Sequence, residues 1–177
     1  MPAEERGKQI HLAYLSIGSN IEPEENLPAA VRELGRFGRV SLVSSVWQSP
    51  PIGAPGQPDY LNAALLLETP LSAECLKKEG IAVVEALLGR VRSGDRNAPR
   101  TIDIDIMLFD SEELSFGARR IPDREVLEHP CVAIPLAEIA PGYIHPVTGD
   151  PLADIASRFD PISWGMRIRP DVILKPD

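Results

Sequence analysis

The chain has 177 residues, 44% of them apolar and 25% charged, with 18 Lys and Arg against 26 Asp and Glu for a net charge of −8. That composition fits one globular domain with a proper core and excludes global disorder, and the acidic balance argues against general affinity for nucleic acid or an anionic membrane. No apolar run approaches the ~18 residues of a membrane span, the charged opening Met1–Gln9 lacks a signal-type apolar region, and two cysteines with three scattered histidines argue against a disulfide framework or a zinc site, so a cytoplasmic protein is expected.

His11 to Ile17 alternates, with Leu15 and Ile17 on one face and Tyr14 and Ser16 on the other, and predicts a first strand broken by Gly18-Ser19-Asn20. Pro23-Glu24-Glu25 is the acidic first turn of a helix whose stripe is Leu27, Val31 and Leu34, ending at Gly35. Those glutamates argue against an anion site at this helix start. Val40 to Gln48 reads as a second strand. Ser49 to Pro58 holds four prolines and two glycines in ten residues, which suits neither helix nor central strand. Tyr60 to Glu68 is a third strand.

Ser72 has the place of an N-cap with Cys75 at N3, opening a helix to about Leu88 with Gly80 inside it. Gly89 to Pro99 is a loop and Thr101 to Phe109 a strand. Short strands are expected around Leu114 and Ile121, helices over Val132–Ile139 and Leu152–Phe159, and an edge strand where Trp164, Met166 and Ile168 alternate. Strand, helix, strand, strand, helix, strand is the order of a ferredoxin-like α+β sandwich, with a mainly antiparallel sheet and helices packed on one face. A single domain over 1–177 is expected, with its core at about 10–160, an N-terminal extension at 1–9 and a C-terminal tail at 161–177.

The most informative stretch is Arg100-Thr101-Ile102-Asp103-Ile104-Asp105-Ile106. On a strand, Asp103 and Asp105 share one face, roughly 6.5–7 Å apart. Two like charges side by side repel, and a divalent cation is the usual reason to tolerate them. Oxygen ligands at this separation suit one Mg²⁺, or two roughly 3.5–4 Å apart. A strand with a solvated acidic face is the plainer alternative. The preceding loop carries Arg90, Arg92, Arg96 and Arg100, whose planar donor forks match phosphate oxygens. Surface ion pairs would explain the loop alone; next to the carboxylates, phosphate binding is the better reading.

Tyr60 and Asn62 share a strand face, so an aromatic plane lies beside an amide, an arrangement that can stack on a flat heterocycle and read its edge. The Pro-rich loop before them can wall the same pocket. Glu85 is either a nucleotide contact or a solvated helix residue. Neither a G-x-x-x-x-G-K-[ST] loop nor a G-x-G-x-x-G turn is present, and no Ser-His-Asp or Cys-His set suggests itself. Cys75 reads as a helix residue and Cys131 as structural or part of a pocket wall.

Several segments, in this order, resemble the 6-hydroxymethyl-7,8-dihydropterin pyrophosphokinase family of folate biosynthesis. They are Tyr14-Leu15-Ser16-Ile17-Gly18-Ser19-Asn20, Ser49-Pro50-Pro51-Ile52-Gly53, Gln57-Pro58-Asp59-Tyr60-Leu61-Asn62-Ala63-Ala64, Gly89-Arg90-Val91-Arg92, Pro99 to Phe109, Pro135 to Pro141, and His145-Pro146. The resemblance covers most of residues 11 to 152. It implies a ferredoxin-like fold and transfer of pyrophosphate from ATP to the pterin hydroxymethyl group, giving AMP. By that likeness Asp103 and Asp105 would hold two Mg²⁺ ions, and Arg90 and Arg100 would clamp phosphates, with Arg92 and Arg96 helping. Glu85, Ile106 and Asp123 would border the nucleotide. Tyr60 would stack on the pterin, Asn62 would bond its edge, and Ser49, Pro50, Ile52 and Cys131 would complete that pocket. The implied partners are ATP and hydroxymethyl-dihydropterin, with no nucleic acid and no membrane, and a monomer is expected.

Four positions depart from the family pattern. Asn97 stands for a tryptophan, Asp123 for a histidine, His129 for a frequent arginine, and Cys131 for a frequent aromatic wall, whose loss costs ~1 kcal/mol of stacking. Two alternatives stay open beside the pyrophosphokinase: a nucleotide- or pterin-binding module of the same fold that no longer turns over, and a transferase acting on another heterocyclic alcohol.

Overall fold

The structure, a computed structural model, describes residues 9–95 and 97–176. β1 (His11–Ser19) lies inside the sheet, paired antiparallel with β4 (Tyr60–Thr69) on one side and β5 (Asp103–Phe109) on the other. β4 is long enough to pair with two strands, β3 (Trp47–Ser49) at its start and β2 (Arg39–Val43) at its end. The order is β5-β1-β4-β3-β8, where β8 is Arg167–Ile168, with β2 also on β4. The second strand expected at Val40–Gln48 is therefore two pieces. Ser44 separates them: its N–H donates to Ala64 O at 2.9 Å, and its hydroxyl accepts Ala64 N–H at 2.8 Å, where a ladder carbonyl would otherwise stand.

Helix α1 (Pro23–Leu34) buries Leu27, Ala30, Val31 and Leu34 against Ala13, Leu15, Ile17, Leu65 and Leu67 of the sheet. The helix begun by Ser72 is capped as its sequence indicates, with Cys75 N–H donating to Ser72 Oγ at 3.3 Å. It is not uniform, however: α2 (Ala73–Cys75) passes into a π-helical stretch, Leu76–Ile81, and then α3 (Ala82–Leu87). Gly80 belongs here because a Cβ would meet Leu76 Cδ1 at 3.1 Å and the Phe37 ring at 3.3 Å.

Helices cover both faces, not one. Tyr14, Ala64, Leu66, Met107 and Leu108 point to the second face and pack under α4 (Glu125–Glu128), α5 (Pro130–Ile139) and α6 (Leu152–Ser157). A register shift at Tyr14/Leu15 lets Met107 and Leu108 both face this layer. The layer stops part-way along the strands. Beyond it Ser16, Tyr60, Asn62, Asp103 and Asp105 stay only partly buried on the same face.

β6 (Leu114–Phe116) and β7 (Arg119–Ile121) form a separate hairpin beside β5. β8 (Arg167–Ile168) pairs with β3, and Met166, Val172 and Leu174 are buried, so packing continues past residue 160. Among the described residues no helix is long and apolar enough to cross a membrane.

Candidate active site

The uncovered strand ends form a floor. In register across three strands, Asn62 of β4, Gly18 of β1 and Asp103 of β5 make one row; Ala64, Ser16 and Asp105 make the next. Gly18 is required in the middle: a Cβ there would lie 2.8 Å from Asn62 Oδ1. Without a side chain between them, the amide and the carboxylate face the same space. Asn62 is held in turn by Ser49, its Nδ2 donating to Ser49 Oγ at 2.8 Å.

Each aspartate meets two cations. Asp103 Oδ1 is 3.0 Å from Arg90 Nη1, and its Oδ2 accepts from Arg100 Nη1 at 2.5 Å. Asp105 Oδ1 takes Lys77 Nζ at 2.9 Å and Arg119 Nη1 at 2.8 Å. Burial pushes the Asp105 carboxyl upward, but the Lys77 and Arg119 charges outweigh it and leave it lowered. Asp105 is thereby held in its ionised form, as a cation site requires. Arg100 is likewise opposed by burial and sustained by Asp103. Arg90 Nη1 also donates to Ile102 O at 2.5 Å, while its Nε is buried with no partner among the described residues.

A cleft of about 250 Å³ opens over this floor. Ser49 to Ile52 and Ala54 form one wall, and Glu125, His129 and Cys131 the other, with Tyr60, Asn62 and Asp103 beneath and Arg100 and Asn97 at the rim. Tyr60 lies in the cleft beside the charged cluster of Arg90, Arg100 and Asp103. Burial raises its phenol, with Asp103 adding to the rise and Arg100 and Arg90 opposing it. Burial, helped by Glu125, pushes the Cys131 thiol up to about 11, so it is a protonated wall group and no nucleophile. Asp105 lines an inner extension of about 90 Å³ with Ser16, Gly18 and Met107. A second cleft, about 390 Å³, lies along the arginine loop and is lined by Arg90, Arg92 and Arg100.

Asn20 ties the two loops to the floor. It is 4% exposed, its Oδ1 accepts Arg100 N–H at 2.8 Å, and its Nδ2 donates to Gln57 Oε1 at 3.1 Å. Gln57 Nε2 donates to Asn97 O, and Asn97 Nδ2 to Gly53 O at 3.4 Å.

Ser49, Pro50, Ile52, Tyr60, Asn62, Arg100, Asp103 and Cys131 thus meet around one cleft, with Asp105 in its extension and Arg90 and Arg92 alongside. Glu85 is not a solvated helix residue. It is 2% exposed, accepts Ile104 N–H at 3.0 Å and pairs with Arg92 Nη2 at 2.7 Å. The Ile106 side chain is 3% exposed in the core beneath the sheet, away from the cleft. Asp123 Oδ1 accepts Glu125 N–H at 2.9 Å at the start of α4. Arg96 lies outside the described residues.

Sequence reasoning missed Gly18, Asn20, Lys77, Arg119 and Glu125. Glu125 shares the cleft with the aspartates and is pushed up to about 7, by burial first and then by the charges of Asp123, Asp105 and Asp103.

The donors fit magnesium of one particular kind. Among the described residues no group of three or more His, Cys, Asp and Glu is set to cage an ion. Two carboxylates side by side on one strand face, opening on a cleft bordered by guanidinium groups, suit Mg²⁺ carried by a polyphosphate, which needs only one or two protein carboxylates.

The chain matches the model of a family described as 7,8-dihydro-6-hydroxymethylpterin-pyrophosphokinase (HPPK) over residues 14–141. The 2-amino-4-hydroxy-6-hydroxymethyldihydropteridine pyrophosphokinase of Synechocystis is 31% identical over 169 residues, 91% of this chain and 85% of that one. Its namesake from Methylorubrum extorquens is 36% identical over 152 residues, 84% and 94% of the two chains. The one from Haemophilus influenzae is 37% identical over 137 residues, 76% and 84%. Among solved structures, Plasmodium falciparum HPPK-DHPS crystallised with SDX-DHP superposes with a TM-score of 0.70 at 12% identity, over 87% of this chain and 46% of that one. The wild-type form with pterin and p-hydroxybenzoate gives 0.64 at 11%, over 89% and 42%. This chain spans less than half of those longer proteins, and at such identity the likeness shows the fold.

Proposed function

From the premise that the chain belongs to the 7,8-dihydro-6-hydroxymethylpterin-pyrophosphokinase family, we propose that it transfers pyrophosphate from ATP to 6-hydroxymethyl-7,8-dihydropterin, depending on Mg²⁺ held by Asp103 and Asp105. The acceptor hydroxyl oxygen bonds to the β-phosphorus, the bond from that phosphorus to the α,β-bridging oxygen breaks, and AMP leaves as the hydroxyl proton is lost. The observation that carries this reading is the row Asn62–Gly18–Asp103, which sets a heterocycle-reading amide and a carboxylate beside each other on one face.

Each side chain has a task that follows from its place. Tyr60 stacks on the ring, Asn62 bonds its edge, and main-chain groups of Ser49 to Ile52 meet the remaining edge, with Pro50 and Cys131 closing the sides. Arg90 and Arg100 clamp phosphate oxygens next to Asp103, and Arg92 and Arg96 join from the loop. Glu85 acts from behind, by fixing Ile104 and Arg92. Ile106, with its side chain in the core, meets the nucleotide through its main chain, and Asp123 borders it from the start of α4. Asp103 and Asp105 would hold two Mg²⁺ ions, which when bound would supply neutralisation of phosphate charge and a more acidic acceptor hydroxyl. Such a transfer needs positioning and charge neutralisation more than covalent help from the protein. The enzyme works as a cytoplasmic monomer of one domain.

The test is AMP release from ATP and Mg²⁺, with and without the dihydropterin. Pterin-dependent AMP supports the assignment. Pterin binding without AMP, or AMP only with another heterocyclic alcohol, overturns it.

A further inference from the structure

Two cations converge on one oxygen of Asp105, and they are not equivalent. Lys77 Nζ lies 2.9 Å from Oδ1 and also donates to Ile104 O at 2.7 Å; its side chain is 12% exposed and rises from the π-helical stretch packed beside β5. It has a second anchor and little room. Arg119 Nη1 lies 2.8 Å from the same oxygen, but its side chain is 38% exposed on the β6–β7 hairpin. Among the described residues Asp105 is the only side-chain partner of its guanidinium.

A carboxylate serving both cations has no reason to keep both once a divalent ion shares it. The added charge repels each of them. Lys77 can remain on the Ile104 carbonyl. Arg119 has no such second bond and carries a planar fork suited to phosphate oxygens. Arg90 and Arg100 already serve the Asp103 end of the carboxylate pair; nothing equivalent serves the Asp105 end unless Arg119 is released.

We propose that Arg119 is an exchangeable counter-ion, holding Asp105 in the nucleotide-free enzyme and passing to a phosphate oxygen of ATP when Asp105 takes up the metal. This rests on the assignment of Asp105 as a magnesium ligand. It makes Arg119 a nucleotide-binding residue contributed by the hairpin. It also gives a reason for a partly exposed arginine beside a carboxylate that Lys77 already neutralises.

The proposal is tested by a double-mutant cycle without metal. Calorimetry with α,β-methylene ATP, whose bridging methylene blocks transfer, is run in chelator on wild type, Asp105→Asn, Arg119→Ala and the double variant. Asp105→Asn removes the charge that holds Arg119 without adding any ion, so the analogue should bind several-fold tighter than to wild type, and most of that gain should vanish when Arg119 is also Ala. With Mg²⁺ present, Arg119→Ala alone should weaken the analogue by roughly tenfold and leave pterin affinity unchanged. An equal gain in both backgrounds would mean that Asp105→Asn only removes a repelling charge, and would overturn the proposal. So would an unchanged analogue affinity for Arg119→Ala in Mg²⁺. Circular dichroism checks folding, and Arg119→Gln replaces Arg119→Ala if the latter does not fold. Loss of turnover in Asp105→Asn reports on the metal assignment separately, so the two readings fail independently.

Discussion

Glu85 Oε1 accepts the main-chain N–H of Ile104 at 3.0 Å, from a residue that is 2% exposed. Ile104 lies between Asp103 and Asp105, so a buried carboxylate on α3 fixes the strand that presents both metal candidates. Its other oxygen holds Arg92. Removing the carboxylate leaves the Ile104 N–H without its acceptor. Glu85→Ala is expected to cost about 2 kcal/mol of stability, and Glu85→Gln, which keeps an acceptor, about half that. Urea midpoints measure both; a loss below about 0.5 kcal/mol in Glu85→Ala would contradict the bond.

Asp105→Asn is expected to lower turnover by at least about a thousandfold while the melting temperature changes little. The amide keeps an acceptor for Lys77. Asp105→Ala does not, and it leaves a 12% exposed lysine with the Ile104 carbonyl alone. Asp105→Ala therefore removes more than a ligand, because losing the Lys77 pair destabilises the fold as well, by about 1 kcal/mol. Turnover near wild type in either variant counts against the metal role.

Arg100 bonds Asp103 and shares the cleft rim with Asn97. Arg100→Ala should reduce kcat by about a hundredfold and pterin affinity by less than about threefold, because its partner in the reaction is the transferring phosphate. Steady-state kinetics with direct pterin titration separate the two. A defect confined to pterin affinity would reassign Arg100 to the ring pocket.

Glu125 supplies a pH dependence. Its folded-state pKa, about 7, lies above its ordinary 4.5. A carboxyl shifted upward contributes full stability below the unfolded value and loses it as pH rises through the folded one. Wild type should therefore weaken between about pH 4.5 and 7 relative to Glu125→Gln. At about pH 8 the variant should be more stable by on the order of 1 kcal/mol, after solvent screening is allowed for, with no such advantage at about pH 4. Urea melts at the two pH values without divalent ions are the measurement; an equal difference at both would refute it.

Much of the fold was legible because its signals are local. Alternation marked β1 and β5, proline and glutamates marked the start of α1, and Ser72 marked the next helix start. Asp103 and Asp105 were visible because they stand two apart on one strand. The broken second strand was not, since it depends on Ser44 meeting Ala64 across the sheet. The second layer of helices had a signal that the reading under-used. Ala63-Ala64-Leu65-Leu66-Leu67 is apolar on both faces, as a strand covered on both sides must be. Lys77 and Arg119 had none, because their link to Asp105 is made only by tertiary packing. Glu125 belongs to a four-residue helix too short to show a period.

The cleft exists because one layer of helices ends before the strands do, and its parts therefore bear unequal constraints. Floor residues alternate along their strands with Leu61, Ile102 and Ile104, so altering the floor's backbone disturbs the core on the reverse side. His129 and Cys131 sit instead where α4 gives way to α5, off the sheet altogether. Acceptor preference can drift at that junction while the transfer machinery stays fixed, and exchanging those two residues between homologues is a direct way to retune which ring is admitted.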